Sequence, residues 1–499
     1  MEMEFNRIPI SYLQKLAGQL RSQEETLEVR LPDGMPDIGR VLGAWGQVIV
    51  RGKEWNSNHM AVSCGVMVWV LYKPEDGTEV RSVEAWLPFS MKWELPDTRN
   101  DGKILISCLL RSADARSISA RKLMVRATLG AVGEGWLPTE AQMAAHGDLP
   151  ADVVVLPATY PVLLPREAGE KAFLLEDQRS VSSSNPKPEK ILYYSLQPEI
   201  MEKKVMAGKV VFRGVGIVHV LYRGEDGRLC AWDWELPFSQ YADLEEEYDQ
   251  DPTVTVIPCV TSLDISLDEN GEIQLKAGVL SQYLLHDRTM VTVAEDAYSP
   301  HRKVTPVVEQ LQIPAVLDET VQTVHAEAMS QTEVYQMVDT TFCPEYVQAE
   351  RSSDTLALPV AGQFQMLYYD ADGELCSGVT KWEGQWDLRA GDDSAVSVWV
   401  APSGKPQAVQ GTGTVALRAD VNISATFAAK QGITMVTGLE MEEEQKPDRN
   451  RPSLILCRRG DKRLWDLAKE TGSTVEAIME ANGLNGEPES SCVLLVPVL

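Results

Sequence analysis

The sequence predicts a mainly β protein: three tandem β-sandwich-like repeats followed by a small β-α-α-β domain. Two observations predict it. A ten-residue unit recurs at 68–77, 218–227 and 364–373, each time with Leu-Tyr followed four residues later by Asp-Gly. Spacings near 150 residues mean tandem domains, since the repeats of a stacked solenoid are far shorter. After residue 452 the apolar pattern changes from two-residue alternation to helical spacing.

Within each unit a strand leads into a tight turn. Val68, Val70 and Tyr72 alternate with Met67, Trp69 and Leu71, the period of a β-strand. Asp-Gly then supplies turn chemistry, so each copy centres on a β-hairpin. The tetrapeptide Leu87-Pro88-Phe89-Ser90 returns as Leu236-Pro237-Phe238-Ser239, and the third copy lacks it. Where copy one has Met67 and Trp69, copy three has Gln363 and Gln365, so that face is expected to be more exposed there. Later strands are expected at Lys103–Leu110, Thr253–Val260 and Ala395–Ala401, then at Lys122–Leu129, Glu272–Leu280 and Gly413–Ile423. Helical periodicity is weak here, with Ser11–Gln23 the one stretch that suggests it. Junctions fall at Ala141–Pro150 and Tyr298–Pro306. The expected domains are repeats at 1–140, 151–298 and 306–440, a charged linker at 441–452 and a final domain at 453–499.

The 499 residues suffice for three or four domains, and 44% apolar with 24% charged residues is a globular composition. The net charge of −27 is uneven: −2 over residues 1–150, −12 over 151–300, −11 over 301–452 and −2 over 453–499. No segment is basic, which disfavours nucleic acid. The first residues lack the basic and apolar regions of a secretion signal, and no apolar run reaches the length of a transmembrane segment. Eight cysteines without a C-x-x-C spacing fit a reduced, cytoplasmic protein rather than a disulfide scaffold or zinc site.

No constellation of reactive groups points to an enzyme, a cofactor or a metal. The six histidines are dispersed, and there is no P-loop, G-x-S-x-G or dinucleotide fingerprint. His219 holds the strand position of Trp69 and Gln365 and reads as a face-filling residue. Cys230 and Cys376 coincide across copies as small fillers, and Cys457 and Cys492 flank the last domain, where a strand-pair contact is conceivable. Asp370-Ala371-Asp372-Gly373 imitates a calcium loop but lacks the following Glu ligand, so a hairpin turn is expected. Asp33 and Asp37 read as turn and strand-entry residues. The acidic run 243–251 reads as a solvated loop or a surface for a basic partner.

In the last domain, Leu454–Cys457 and Val493–Val496 are short apolar runs. Between them, Leu464, Leu467 and Ala468 define a helix ended by Gly472, and 473–476 is a capping box for a second helix that ends before Gly483. Gly460, Asp461, Leu464, Trp465, Ala468, Ile478, Asn482, Gly483 and the closing 494–497 resemble the LysM domain in order and spacing. That resemblance implies a groove for N-acetylglucosamine polymers along the loops. Here, however, Lys462 and Arg463 replace the usual Thr, and 490–492 replaces the usual Gly-Gln. Residues 458–463 then offer four positive charges against one negative, suited to an acidic protein partner. The candidate partner- or glycan-binding residues are Gly460, Asp461, Lys462, Arg463, Leu464, Asn482, Gly483 and Leu484. Trp465 is expected in the core.

The repeats resemble the SPOCS domain of sporulation proteins through residues 31–38, 65–72, Asp76, Gly77 and 87–90. SPOCS repeats followed by LysM are similar to the SipL-type spore coat morphogenetic proteins. The resemblance implies a non-enzymatic scaffold in the mother-cell cytoplasm, at the outer forespore surface and spore coat. Its implied partners are a spore coat morphogenetic ATPase of the stage IV sporulation protein A type, docked through the LysM-like domain, and other coat proteins. The alternative is binding of peptidoglycan or its lipid-linked precursor.

Overall fold

The computed structural model describes all residues except 1, 97–98, 146–148, 183–184, 249–251, 353–354, 390–394, 444–451 and 491. The chain opens with β1 (Glu2–Glu4), β2 (Asn6–Arg30), β3 (Ile38–Asn56), β4 (His59–Pro74), β5 (Arg81–Glu94), β6 (Lys103–Ser119) and β7 (Lys122–Ala145). It continues with β8 (Val154–Arg179), β9 (Pro188–Met206), β10 (Lys209–Gly224), β11 (Leu229–Asp243), β12 (Thr253–Leu267) and β13 (Ile273–Tyr298). The third set is β14 (Val304–Ser330), β15 (Gln336–Tyr346), β16 (Glu350–Ser352), β17 (Thr355–Tyr369), β18 (Leu375–Arg389), β19 (Ala395–Gln410) and β20 (Val415–Met441). Last come β21 (Leu454–Arg458), α1 (Leu464–Thr471), α2 (Val475–Asn482) and β22 (Val493–Pro497).

Each set makes the same two antiparallel sheets. The hairpin sheets are β3-β4-β5, β9-β10-β11 and β15-β17-β18, and the ladder sheets are β2-β7-β6, β8-β13-β12 and β14-β20-β19. The two sheets of a set pack face to face through alternating apolar residues. Val66, Val68 and Val70 of β4 share a core with Leu123, Val125, Ala127 and Leu129 of β7. Phe364, Met366 and Tyr368 meet Val415, Leu417 and Ala419 in the same way. The fold is mainly β, and among the described residues helix is confined to the C-terminal domain.

The recurrent motif has a structural cause. Gly77, Gly227 and Gly373 sit at φ +73, +81 and +77, a region that favours glycine. The Tyr72 hydroxyl donates to Pro36 O at 3.0 Å and Tyr222 to Pro186 O at 3.2 Å, tying each hairpin to the entry of its preceding strand. The Asp370 Oδ1 accepts the N–H groups of Asp372 at 3.0 Å and Glu374 at 2.8 Å, as a turn requires.

Several expectations are corrected. Ser11–Gln23 is part of β2 rather than a helix, paired with β7 along its length and interrupted by one bulge at Leu16. Tertiary pairing overrides a local helical pattern. The expected late strands are longer than their apolar alternation indicates: Lys122–Leu129 extends to Ala145 and Gly413–Ile423 becomes Val415–Met441. The junction read at Ala141–Pro150 therefore begins inside a strand. The bulge recurs at Arg166 and Leu317, where each long ladder turns from its own sandwich toward a shared centre. There Ile10, Tyr12, Val162, Leu164, Val291, Ile313, Ile433 and Met435 from all three ladders form one apolar cluster. β1 pairs with residues 438–440 of β20, so the start of the chain joins the third ladder sheet.

Candidate functional site

The C-terminal domain carries the residues that the sequence singled out. β21 and β22 pair antiparallel, and Leu464, Trp465, Leu467, Ala468 and Ile478 pack with Leu494 and Val496. Gly472 and Gly483 end the two helices as expected, but α2 is capped by Thr474, whose hydroxyl accepts the Ala477 N–H at 3.1 Å. Ser473 is instead fully buried. Cys457 and Cys492 are both free thiols.

The candidate residues divide by role. Leu464 is core. The Asn482 amide donates to Ile478 O and Leu495 O and accepts the Leu495 N–H at 2.8 Å, so it fastens α2 to β22. Leu484 packs at the edge of the same core. Gly460 and Gly483 take positive φ at the loop turns, and Asp461 is exposed. Lys462 pairs with Glu470 and Arg463 with Asp466 at 3.2 Å, both at the surface. The unbalanced basic cluster expected from the sequence is corrected accordingly: Arg459 is also paired, with Glu487 at 2.7 Å. Glu487 further accepts the Leu464 N–H at 2.9 Å. Its carboxylate thus ties the loop before α1 to the loop after α2. Ser491 lies outside the described residues.

Trp465 is core, yet its indole N–H points out of the domain to Asp296 Oδ2 at 2.8 Å. Lys469 Nζ reaches the other Asp296 oxygen at 2.7 Å, Tyr298 donates to Ser473 O at 3.0 Å, and the Tyr298 and Trp465 rings meet edge to face at 4.7 Å. Burial pushes the Asp296 carboxyl up, but Lys469 and Trp465 outweigh it and hold the pKa below its ordinary value. The domain is therefore seated on the end of β13 through α1. Its loops and the outer sheet face remain open, the latter with Leu454, Leu456 and Val493 at 48%, 72% and 61% exposure.

The second constellation lies where the hairpin sheets meet. Ser82 donates to Leu192 O at 2.6 Å from set one to set two, and Gln365 donates to Ala44 O at 3.1 Å from set three to set one. Between sets two and three stands His219, 2.6 Å from Asp233 and 3.1 Å from Asp339. Burial alone would lower the His219 pKa, but the Asp339 charge and the hydrogen bonds to both carboxylates lift it to about 10. So His219 is more than a face-filling residue; it is an imidazolium clamp. Gln363 and Gln365, expected on an exposed face, are half-buried at this junction. Among the described residues no group of three or more His, Cys, Asp or Glu could hold a metal. The Cys259 and Cys343 thiols are pushed up by burial, to about 12 and about 11.

The acidic run is partly structural. The buried Glu167 carboxylate accepts the Glu245 N–H at 3.1 Å and the hydroxyls of Tyr248 and Tyr283 at 3.3 and 2.8 Å. Residues 249–251 lie outside the described residues.

The family described as SipL, SPOCS domain, matches residues 187–268. That segment spans β9, β10, β11 and β12. The chain thus carries a SPOCS domain of the SipL type, which ties it to a sporulation-related role. No curated protein matches the chain. No helix among the described residues is long and apolar enough to cross a membrane.

Proposed function

We propose that this SPOCS-bearing chain is a non-enzymatic scaffold of endospore coat assembly, working on the mother-cell side of the outer forespore surface. In this reading the C-terminal domain docks the chain to a coat morphogenetic ATPase of the stage IV sporulation protein A type, and the β sets hold other coat proteins. The SPOCS match at 187–268 carries the reading. Its support is geometric: α1 seats the domain on β13 and leaves the 459–463 loop facing outward. Glu487 bridging that loop and α1 favours protein docking over a glycan, because a sugar would have to displace an ion pair and a backbone hydrogen bond.

The test uses the full chain, its Lys462→Glu/Arg463→Glu variant and the purified ATPase. Exposed pairs of this kind contribute about 0–1 kcal/mol, so the variant keeps its melting temperature while its affinity for the ATPase falls about tenfold or more. Unchanged affinity in the folded variant refutes the loop as the docking surface. Tight binding of chitooligosaccharides without ATPase binding refutes the docking reading itself.

A further inference from the structure

A cavity of about 540 Å³ lies where the three sets meet, within the range of small-molecule sites. Its wall is built from equivalent segments of all three: 46–48, 196–198 and 342–344 from the hairpin sheets, and 107–110, 257–260 and 399–402 from the ladder sheets. Strand register fixes the equivalence, since Leu110, Val260 and Pro402 pair with Leu129, Val279 and Val421.

Positions facing the sandwich interiors stay apolar in every copy, as in Val68, Val218 and Phe364. Positions facing the junction do not. Trp69, His219 and Gln365 are equivalent, and so are their cross-strand neighbours Trp45, Ser195 and Thr341. A junction needed only for packing would be filled by copy one's indoles three times over. Copies two and three instead leave space and line it with hydrogen-bonding groups.

The rim is distinctive too. Met201 and Val321 line the cavity and yet are 63% and 62% exposed, and exposed Lys405 lines it as well. The lining carboxylate Glu199 is held by the Ser403 hydroxyl at 2.6 Å and the Gly404 N–H at 3.1 Å. Lys405 lies close enough to Asp233 to draw its pKa down, after burial, which raises it, and the His219 bond. Apolar lips with a cation suit an amphiphile: rings or an acyl chain inside and an anion at the mouth.

We propose that this cavity binds a small apolar molecule carrying one anionic group, its apolar part between the ladder and hairpin sheets and its anion at Lys405. The probe is 1-anilinonaphthalene-8-sulfonate, compared with N-phenyl-1-naphthylamine, its analogue without the sulfonate. Full chain is titrated with each while energy transfer is followed from tryptophan, since Trp45 and Trp399 lie in the wall. Saturable binding at one site per chain is expected. Ser195→Trp, which installs the residue of copy one, abolishes that site for both probes. Lys405→Glu weakens the sulfonate about tenfold and leaves the neutral probe unchanged. If Ser195→Trp does not fold, Thr341→Trp, at the equivalent position of copy three in the cavity wall, replaces it with the same expectation. Binding that survives cavity filling, that is lost in Leu456→Ser on the C-terminal sheet, or that Lys405→Glu weakens equally for both probes overturns the proposal.

Discussion

Asp296→Ala tests how the C-terminal domain is held. The Asp296 carboxylate accepts the Trp465 indole N–H at 2.8 Å and pairs with Lys469 at 2.7 Å, with its side chain 21% exposed. A hydrogen bond to a charged group contributes about 1.5–3 kcal/mol, and the half-exposed Lys469 adds little beyond it. Loss of the carboxylate should therefore cost docking about 2–3 kcal/mol, on the order of 30- to 150-fold in the docked-to-undocked ratio. Hydrogen exchange reads this directly: protection falls in α1 and at the end of β13, while the interior of β4 and β10 is unchanged. Asp296→Asn keeps an acceptor for the indole and should lose less. The pH sign follows from the lowered folded pKa. This stabilisation is complete above the ordinary carboxylate value of about 4 and disappears as pH falls through the folded value. Unchanged exchange in Asp296→Ala, or loosening of the wild type already at pH 6, refutes the anchor.

His219→Gln should lower the stability of the joined sets by about 3–5 kcal/mol, because it leaves Asp339 buried without its cation; a denaturation midpoint measures it. Since the folded His219 pKa is raised to about 10, its contribution is complete below the ordinary value near 6.5 and is lost as pH rises through about 10. A wild type that loses this increment on acidification from pH 8 to 6 contradicts the clamp. At Gly438 an added Cβ would lie 2.8 Å from Met3 O, so Gly438→Ala should free β1, seen as faster exchange at residues 2–5 with little change at 415–428.

The hairpins were legible because one signal fixes both ends: Asp-Gly sets the turn, and the register then follows residue by residue. That register even names Asp233 as the cross-strand neighbour of His219, so half of the clamp could have been read from the turn. Asp339 could not, because it comes from another set, 120 residues away in sequence. The long ladders were cut short for a related reason. Alternation is clear where one face is buried in its own sandwich, as from Leu123 to Ala131. It weakens toward the bulge, where the faces meet other sets and the buried Glu134 pairs with Lys15, which in turn donates to Ser397 of the third set.

The same contrast explains the C-terminal domain. Its core followed from helical spacing, since Leu464, Leu467 and Ala468 need only each other and the strand pair. The ionic character of its surface did not, because charge counted along 458–463 omits Glu470 and Glu487, which the fold brings beside Lys462 and Arg459. Sequence distance is a poor guide to electrostatic distance once helices fold back on a hairpin. At the junction of the three sets the reasoning runs the other way. Copies of one fold share their structural demands, so differences at equivalent positions mark where those demands have been relaxed. Trp45, Ser195 and Thr341 differ in size and polarity around one cavity, whereas Val68, Val218 and Phe364 stay apolar behind it. Comparing a chain with itself thus separates residues that hold the fold from residues free to serve something else, and the second group surrounds the cavity.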